Sequence, residues 1–262
     1  MGQIILSATN AGAGSPPYTS YPYRNVGTTS WSTLISSAGT HSSGGGEVNF
    51  NWYTGTFNAH RVTCMCWDLT DLNFLTFTSA QIGFSSVGNG FAPVNQFSTD
   101  SAGGAALVSV NENYATLIGS ASNYNAVYRG RTTEYGTSRI LHSAIPNNYN
   151  RYNYSYTLNA SGLSYLNSVK SKSLNKGYAF FGIILGGVVD GIAPSASSNH
   201  VTLQSIGSMK LTLNYTTGTT GMQINVGDSW KDVAGASINV GDEWKPVSDI
   251  DINISDTWKN KA

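Results

Sequence analysis

The sequence predicts an all-β protein, an antiparallel β-sandwich or jelly roll followed by a small C-terminal unit of β-hairpin repeats. Many short β-prone segments are separated by Gly, Asn, Ser and Pro, with little helical periodicity between them. One short phrase occurs three times near the C-terminus, at a spacing of fourteen residues. Charged residues make up 11% of the chain, against roughly 25% in an average soluble domain. Solubility therefore depends on hydroxyl and amide groups.

Charge and hydropathy exclude several classes of partner. The formal net charge is zero, so the sequence shows no basic footprint for nucleic acid. The apolar run at 177–189 is broken by glycine and shorter than the ~20 residues that cross a bilayer. The N-terminus lacks the basic and apolar regions of a signal peptide. We therefore expect no membrane insertion and no export by a signal peptide.

The chain divides by composition into four parts. Residues 1–44 are rich in Gly and Ser and are expected to form an N-terminal arm or the first strands. Alternation of Val48, Phe50 and Trp52 with polar residues begins a β-sandwich that we place at 45–216. A short linker follows at 217–221. The repeats occupy 222–262, where eleven side chains are charged, against seventeen in the 221 residues before them.

Strands are predicted throughout the sandwich, together with one helix. The helix is expected at 161–170, where Leu163, Leu166 and Val169 recur at helical spacing after Asn159 and Ser161 as candidate caps. After the strand around Val48, the predicted strands are 60–69, 73–84, 105–110, 114–121, 124–130, 151–159, 177–185, 200–205 and 209–216.

No pattern of catalytic or metal-binding residues is apparent. Cys64 and Cys66 are two apart on a predicted strand, a spacing awkward for a disulfide, so we expect reduced, packed thiols. The four histidines are scattered and match no zinc motif. A pair of acidic residues could still flank a cleft, but no spacing nominates one. We expect a protein that is not an enzyme and has no cofactor or metal.

Each repeat has the form Ile-Asn-(Val/Ile)-(Gly/Ser)-Asp-x-Trp-Lys, which predicts a β-hairpin. An isolated hairpin is marginal in water, so the three must be covered by one another, by the sandwich or by other chains. We favour self-association over a meander folded on its own body. A three-residue loop would place an aliphatic residue across from each tryptophan. The candidate assembly pairs are Val226 with Trp230, Val240 with Trp244, and Ile254 with Trp258.

Tyrosines interleaved with asparagine at 147–156 are the candidate ligand contacts. Aromatic faces edged by hydrogen-bonding groups suit sugars. Alternating tyrosines on a strand can equally form one buried or half-buried face, and the sequence leaves both readings open. The candidate glycan contacts are Tyr149, Arg151, Tyr152, Tyr154 and Tyr156.

Two segments resemble known families. INVGDSWKDVAGASINVGDEWKPV resembles the Trp-Lys repeats that close many virion proteins of tailed bacteriophages, especially tail-fibre, receptor-binding and head-decorating proteins. The segment from YTLNASGLSYLNSVK through SMKLTLNYTTG is similar to the last third of carbohydrate-binding jelly rolls.

These resemblances imply a non-enzymatic structural protein of a phage virion, assembled in the host cytoplasm. Its expected partners are copies of itself, with a trimer as one expected state, other virion proteins and a host-surface glycan. The chain lacks the long shaft of fibre proteins, which favours a compact decoration, fibre-tip or adaptor role. The alternative is a carbohydrate-binding module of a bacterial protein, and a third class is a glycan depolymerase.

Overall fold

Antiparallel strands form both layers of the structure, a computed structural model, and the prediction of an all-β sandwich-like fold is confirmed. Their buried side chains meet in one hydrophobic core. The described residues are 1–9, 19–28, 30–36, 40–43, 47–53, 55–73, 75–88, 94–111, 120–172, 174–195, 198–217, 223–226, 229–232, 237–240, 243–246, 250–254 and 257–261.

The larger sheet has eight strands in the order β3-β2-β5-β4-β11-β7-β9, and β1 also pairs with β11. Two segments predicted as separate strands, 200–205 and 209–216, are continuous in β11. The N-terminal part of the chain contributes three of these strands. Their bounds are β1 Gly2–Ser7, β2 Pro22–Thr28, β3 Thr40–Ser43, β4 Val48–Tyr53, β5 Thr56–Arg61, β7 Leu75–Val87, β9 Arg151–Thr157 and β11 His200–Thr217.

The smaller sheet has three strands in the order β6-β10-β8 and is almost entirely buried. The predicted strand at 60–69 divides at Val62 between the two sheets. Buried strands read as continuous apolar runs because both of their faces are covered. This explains the sequence of β10, YAFFGIIL. The bounds are β6 Thr63–Asp68, β8 Ala105–Val108 and β10 Tyr178–Leu185.

The predicted helix is confirmed as α4, with Asn159 as its N-cap. The Asn159 side chain accepts a hydrogen bond of 3.0 Å from the backbone N–H of Gly162. Leu166 and Val169 are buried, as the spacing predicts. Four further helices were not expected from the sequence. The helices are α1 Trp31–Ser36, α2 Asp100–Gly103, α3 Ser120–Gly130, α4 Ala160–Val169 and α5 Gly186–Asp190.

Helix α3 corrects the prediction of a strand at 124–130. Tyr124, Ala126, Val127 and Gly130 are buried, which is the spacing of one helical face. Tyr and Val favour strands in isolation, but packing against β10 decides the conformation. The predicted strand at 114–121 lies mostly outside the described residues.

The C-terminal repeats form three separate two-stranded antiparallel sheets with equivalent registers. The prediction of a three-residue loop is wrong, because only two residues separate the strands of each hairpin, the commonest connection. Trp230, Trp244 and Trp258 therefore pair with Asn225, Asn239 and Asn253, while Val226, Val240 and Ile254 pair with Ser229, Glu243 and Thr257. The strands are β12 Gln223–Val226, β13 Ser229–Asp232, β14 Ser237–Val240, β15 Glu243–Pro246, β16 Ile250–Ile254 and β17 Thr257–Lys261.

Candidate functional site

One face of the larger sheet is lined by small polar side chains across four neighbouring strands, β1, β11, β7 and β9. Because side chains alternate along a strand, the register places these residues in rows that cross the sheet. We call this surface the polar face. Its rows are Gln3, Asn214 and Ser79; Ile5, Thr212, Gln81 and Thr157; and Ser7, Lys210, Gly83 and Ser155.

Hydrogen bonds between side chains order the polar face. Gln3 Nε2 donates to Asn214 Oδ1 at 3.0 Å, and Asn214 Nδ2 donates to Ser79 Oγ at 2.8 Å. Gln81 Nε2 donates to Ser155 Oγ at 3.2 Å. Exposed amides and hydroxyls held in fixed positions can exchange hydrogen bonds with a ligand rich in hydroxyl groups.

Strand β11 is irregular between the segment that pairs with β4 and the segment that pairs with β1. Its register with β7 shifts on both sides of Gly207. Ser205 and Ser208 adopt positive φ angles of 46° and 51°, a region that costs energy for residues other than glycine. β-Bulges redirect side chains and occur often beside functional sites. This double bulge therefore marks β11 as the place to look for a ligand site.

A pocket of about 280 Å³ opens at this double bulge, and we call it the bulge pocket. The half-buried ring of Tyr21 stands in its wall, and its hydroxyl donates to the Ile206 carbonyl oxygen at 3.5 Å. Burial raises the pKa of Tyr21, so this phenol stays protonated. The lining includes Ser7, Tyr21, Gly207, Ser208, Met209 and Lys210.

One cation, Lys210, lines the bulge pocket, and a second, Arg151, lies beside Gly207 of its lining. The side chain of Lys210 is exposed and forms no ion pair or hydrogen bond with the described residues. Arg151 donates from Nη1 to Ser85 Oγ at 2.9 Å and to the Ser205 carbonyl oxygen at 2.8 Å. That Nη1 lies 3.7 Å from the position of a Cβ on Gly207. None of the described residues that line the pocket is acidic, and Lys210 among them is basic, so the charge that they supply is positive.

The tyrosines of β9 form one buried or half-buried face, as the alternative interpretation of the sequence allowed. Tyr156 is 1% exposed and donates to the Ala105 carbonyl oxygen at 3.0 Å, which removes it from the candidate glycan contacts. Tyr154 is half-buried against Phe84, with ring centroids 5.9 Å apart. Tyr152 is also half-buried. Tyr149 is 60% exposed, and Arg151 alternates with the tyrosines and is exposed.

The histidines are not scattered in space, which corrects the interpretation of the sequence. The register pairs Arg24 with His60, His60 with Phe50, and Phe50 with His200, across four neighbouring strands. The ring of His142 stacks on His200. No sequence pattern could reveal this grouping, because it depends on the pairing of strands distant in the chain.

This histidine row is a buried core element. His60 and His200 are fully buried. Burial, with the charges of Arg24 and Arg61, lowers the pKa of His60 to about 3. Burial also lowers the pKa of His200 to about 4. Both rings are therefore neutral at pH 7 and are sealed from solvent.

Two acidic residues of the sandwich, Glu134 and Asp190, share one arginine. Arg139 binds Glu134 through Nε and Nη2 and binds Asp190 through Nη1 and Nη2, at distances of 2.7–2.9 Å. The described residues contain no group of three or more His, Cys, Asp or Glu side chains suited to a metal ion. None of the described helices is long and apolar enough to span a membrane.

Comparison with protein-family models, with curated proteins and with solved structures finds no significant match. The molecule's own features must therefore indicate its function: the polar face, the bulge pocket and the three C-terminal hairpins.

Proposed function

We propose that this chain is a non-enzymatic structural protein of a bacteriophage virion, an exposed decoration, fibre-tip or tail component that assembles through its C-terminal hairpins. The observation that carries the proposal is the repetition of one hairpin register three times. Each hairpin pairs only within itself among the described strands. A two-stranded hairpin is marginal in water, so three equivalent ones favour covering surfaces supplied by other copies of the chain or by other virion proteins.

The assembly role is tested by the mass of the protein in solution. Light scattering is measured on the intact chain, on a chain ended after Thr219, and on a full-length variant carrying Trp230→Ser, Trp244→Ser and Trp258→Ser. We expect a defined oligomer for the intact chain and a monomer for both variants. If all three proteins have the same number of subunits per particle, self-assembly through the hairpins is wrong.

The virion location is tested on phage particles. Particles from a lysate of cells that carry the gene are purified by density gradient, and their proteins are identified by mass spectrometry. We expect this chain in the particle fraction at a fixed ratio to the major capsid protein. Its recovery only in the soluble fraction would contradict the proposal and favour a free carbohydrate-binding module.

Attachment to a host-surface glycan is the second part of the proposal, and the polar face supports it. Four strands present amide and hydroxyl groups in ordered rows, with Ile5 57% exposed among them. Such a surface combines hydrogen-bonding groups with apolar contact, as sugar recognition requires. We expect the labelled protein to bind host cells and to lose this binding after the cell-surface glycans are removed.

A further inference from the structure

We infer that the bulge pocket holds one acidic sugar ring of a glycan, with its carboxylate or sulfate group between the ammonium of Lys210 and the guanidinium of Arg151. This inference rests on the proposed glycan attachment and names its ligand class. Three independent observations carry it: the backbone of β11, the charge around the pocket and the surface that continues from it.

The backbone observation is the pair of serines with positive φ. Ser205 and Ser208 are three residues apart and flank Gly207. A regular strand would avoid the energetic cost of these backbone conformations. The double bulge shifts the register of β11 on both sides of Gly207, and Gly207 and Ser208 line the pocket.

The charge observation is the presence of two cations that bind no carboxylate among the residues that the structure describes. Both hydrogen bonds of Arg151 leave from Nη1, so Nε and Nη2 remain without a bond to the described residues. Lys210 likewise has no acidic partner among them. A carboxylate or sulfate placed here would gain charge-assisted hydrogen bonds, which are about twice as strong as neutral ones.

The surrounding surface favours a saccharide over a free anion. Besides Lys210, the pocket is lined by Tyr21, whose half-buried ring stands in its wall, and by the exposed serines Ser7 and Ser208. Its volume of 280 Å³ is near the lower limit of ligand pockets, roughly 300 Å³, and suits one ring. Ser7 and Lys210 also belong to the polar face. Further sugar units of the bound glycan would lie on that face.

Calorimetry on the full chain tests the inference with a tetramer of galacturonic acid, the methyl ester of that tetramer, a sulfated tetrasaccharide derived from heparin, and sodium sulfate. We expect binding of one or both acidic tetrasaccharides, and at least tenfold weaker binding of the ester and of free sulfate. The tetramer that binds identifies the acidic group as carboxylate or sulfate. Equal binding of ester and acid, equal binding of free sulfate, or no binding of either acidic probe would each overturn the inference.

Variants locate the site. Lys210→Gln removes one charge, and Gly207→Leu fills the space between Gly207 and Arg151, whose Nη1 would lie 3.7 Å from the new Cβ. We expect each variant to weaken binding of the acidic tetrasaccharide at least tenfold, while Lys172→Gln, an exposed lysine after α4, leaves it unchanged. If binding survives both pocket variants, the site is elsewhere. The oligomer and virion measurements do not depend on these variants, so this inference can fail while the assembly proposal stands.

Discussion

His142 and His200 stack with their ring centroids 4.9 Å apart and their planes 28° from parallel. The Gln96 backbone N–H donates to Nδ1 of His200 at 3.3 Å, and Nε2 lies 2.8 Å from the Gly103 carbonyl oxygen. Nδ1 therefore accepts and Nε2 donates, which fixes a neutral ring. Burial of this ring opposes its protonation.

This arrangement predicts acid sensitivity. The pKa of His60 is lowered to about 3 and that of His200 to about 4, whereas both are about 6.5 in the unfolded chain. A lowered folded-state pKa means that the unfolded chain takes up protons first, so stability is lost as the pH falls below 6.5. Asp100 faces His142 and opposes the lowering of its pKa. Arg24 and Arg61 face His60 and reinforce the lowering.

Between pH 6 and pH 5, the two histidines together should lower the free energy of unfolding by about 2 kcal/mol. Urea denaturation at pH 7, 6 and 5 measures the free energy of unfolding at each pH. A His200→Gln variant should lose about half of the pH dependence. An unchanged free energy of unfolding across this range would contradict neutral, buried histidines.

The two thiols should be inert in the folded protein. Cys64 and Cys66 are unpaired and buried on β6, and burial raises the pKa of Cys64 to about 12. The thiolate is the reactive form, so we expect no reaction with a disulfide reagent at pH 8 until urea unfolds the chain, and two reactive thiols afterwards. A Ser155→Cys variant, with its thiol on the exposed polar face, should gain one rapid reaction.

Arg139 should be a major contributor to stability. Its side chain is 13% exposed and holds Glu134 and Asp190 together, which ties α5 to the segment before β9. Replacement by Ala leaves two carboxylates close together, and we expect a loss of about 2 kcal/mol or more. Arg139→Lys should recover only part of it, because one ammonium cannot bind both carboxylates with two bonds each. Urea denaturation of the unchanged protein and the two variants measures this difference in stability. Equal stability of all three would show that the ion pairs are dispensable.

Gly182 should tolerate no side chain. It lies in the middle strand of the smaller sheet, and a Cβ there would come 2.6 Å from a methyl group of Val127 on α3. We expect Gly182→Ala to lower the melting temperature and to destabilise the fold by about 2 kcal/mol. Gly83→Ala is the matched control, since a Cβ there meets no atom closer than 4.0 Å. Equal melting temperatures for the two variants would refute the close packing of α3 on β10.

Local patterns in the sequence determined much of the fold. Alternation of apolar and polar residues predicted β4, β7 and β9, and a continuous apolar run predicted β10. The Asn159 cap and the helical spacing of the leucines predicted α4. The three-fold repeat specified three hairpins. These features could be predicted because each depends on residues within about ten positions of one another, where the periods of strand and helix are legible.

Tertiary structure decided the rest. Tyr124 and Val127 lie in a helix, although their intrinsic preference is for strands, because tertiary contacts decide the conformation. Val127 packs on Gly182 of β10, and the Tyr124 hydroxyl lies 2.6 Å from Nδ1 of His60 on β5. His60 meets Phe50, and Phe50 meets His200, only through strand register. Lys210 lines the bulge pocket, and Arg151 reaches the same bulge from β9, where it donates to the Ser205 carbonyl oxygen. Contacts between residues distant in the chain follow from register and burial, and no local pattern carries that information.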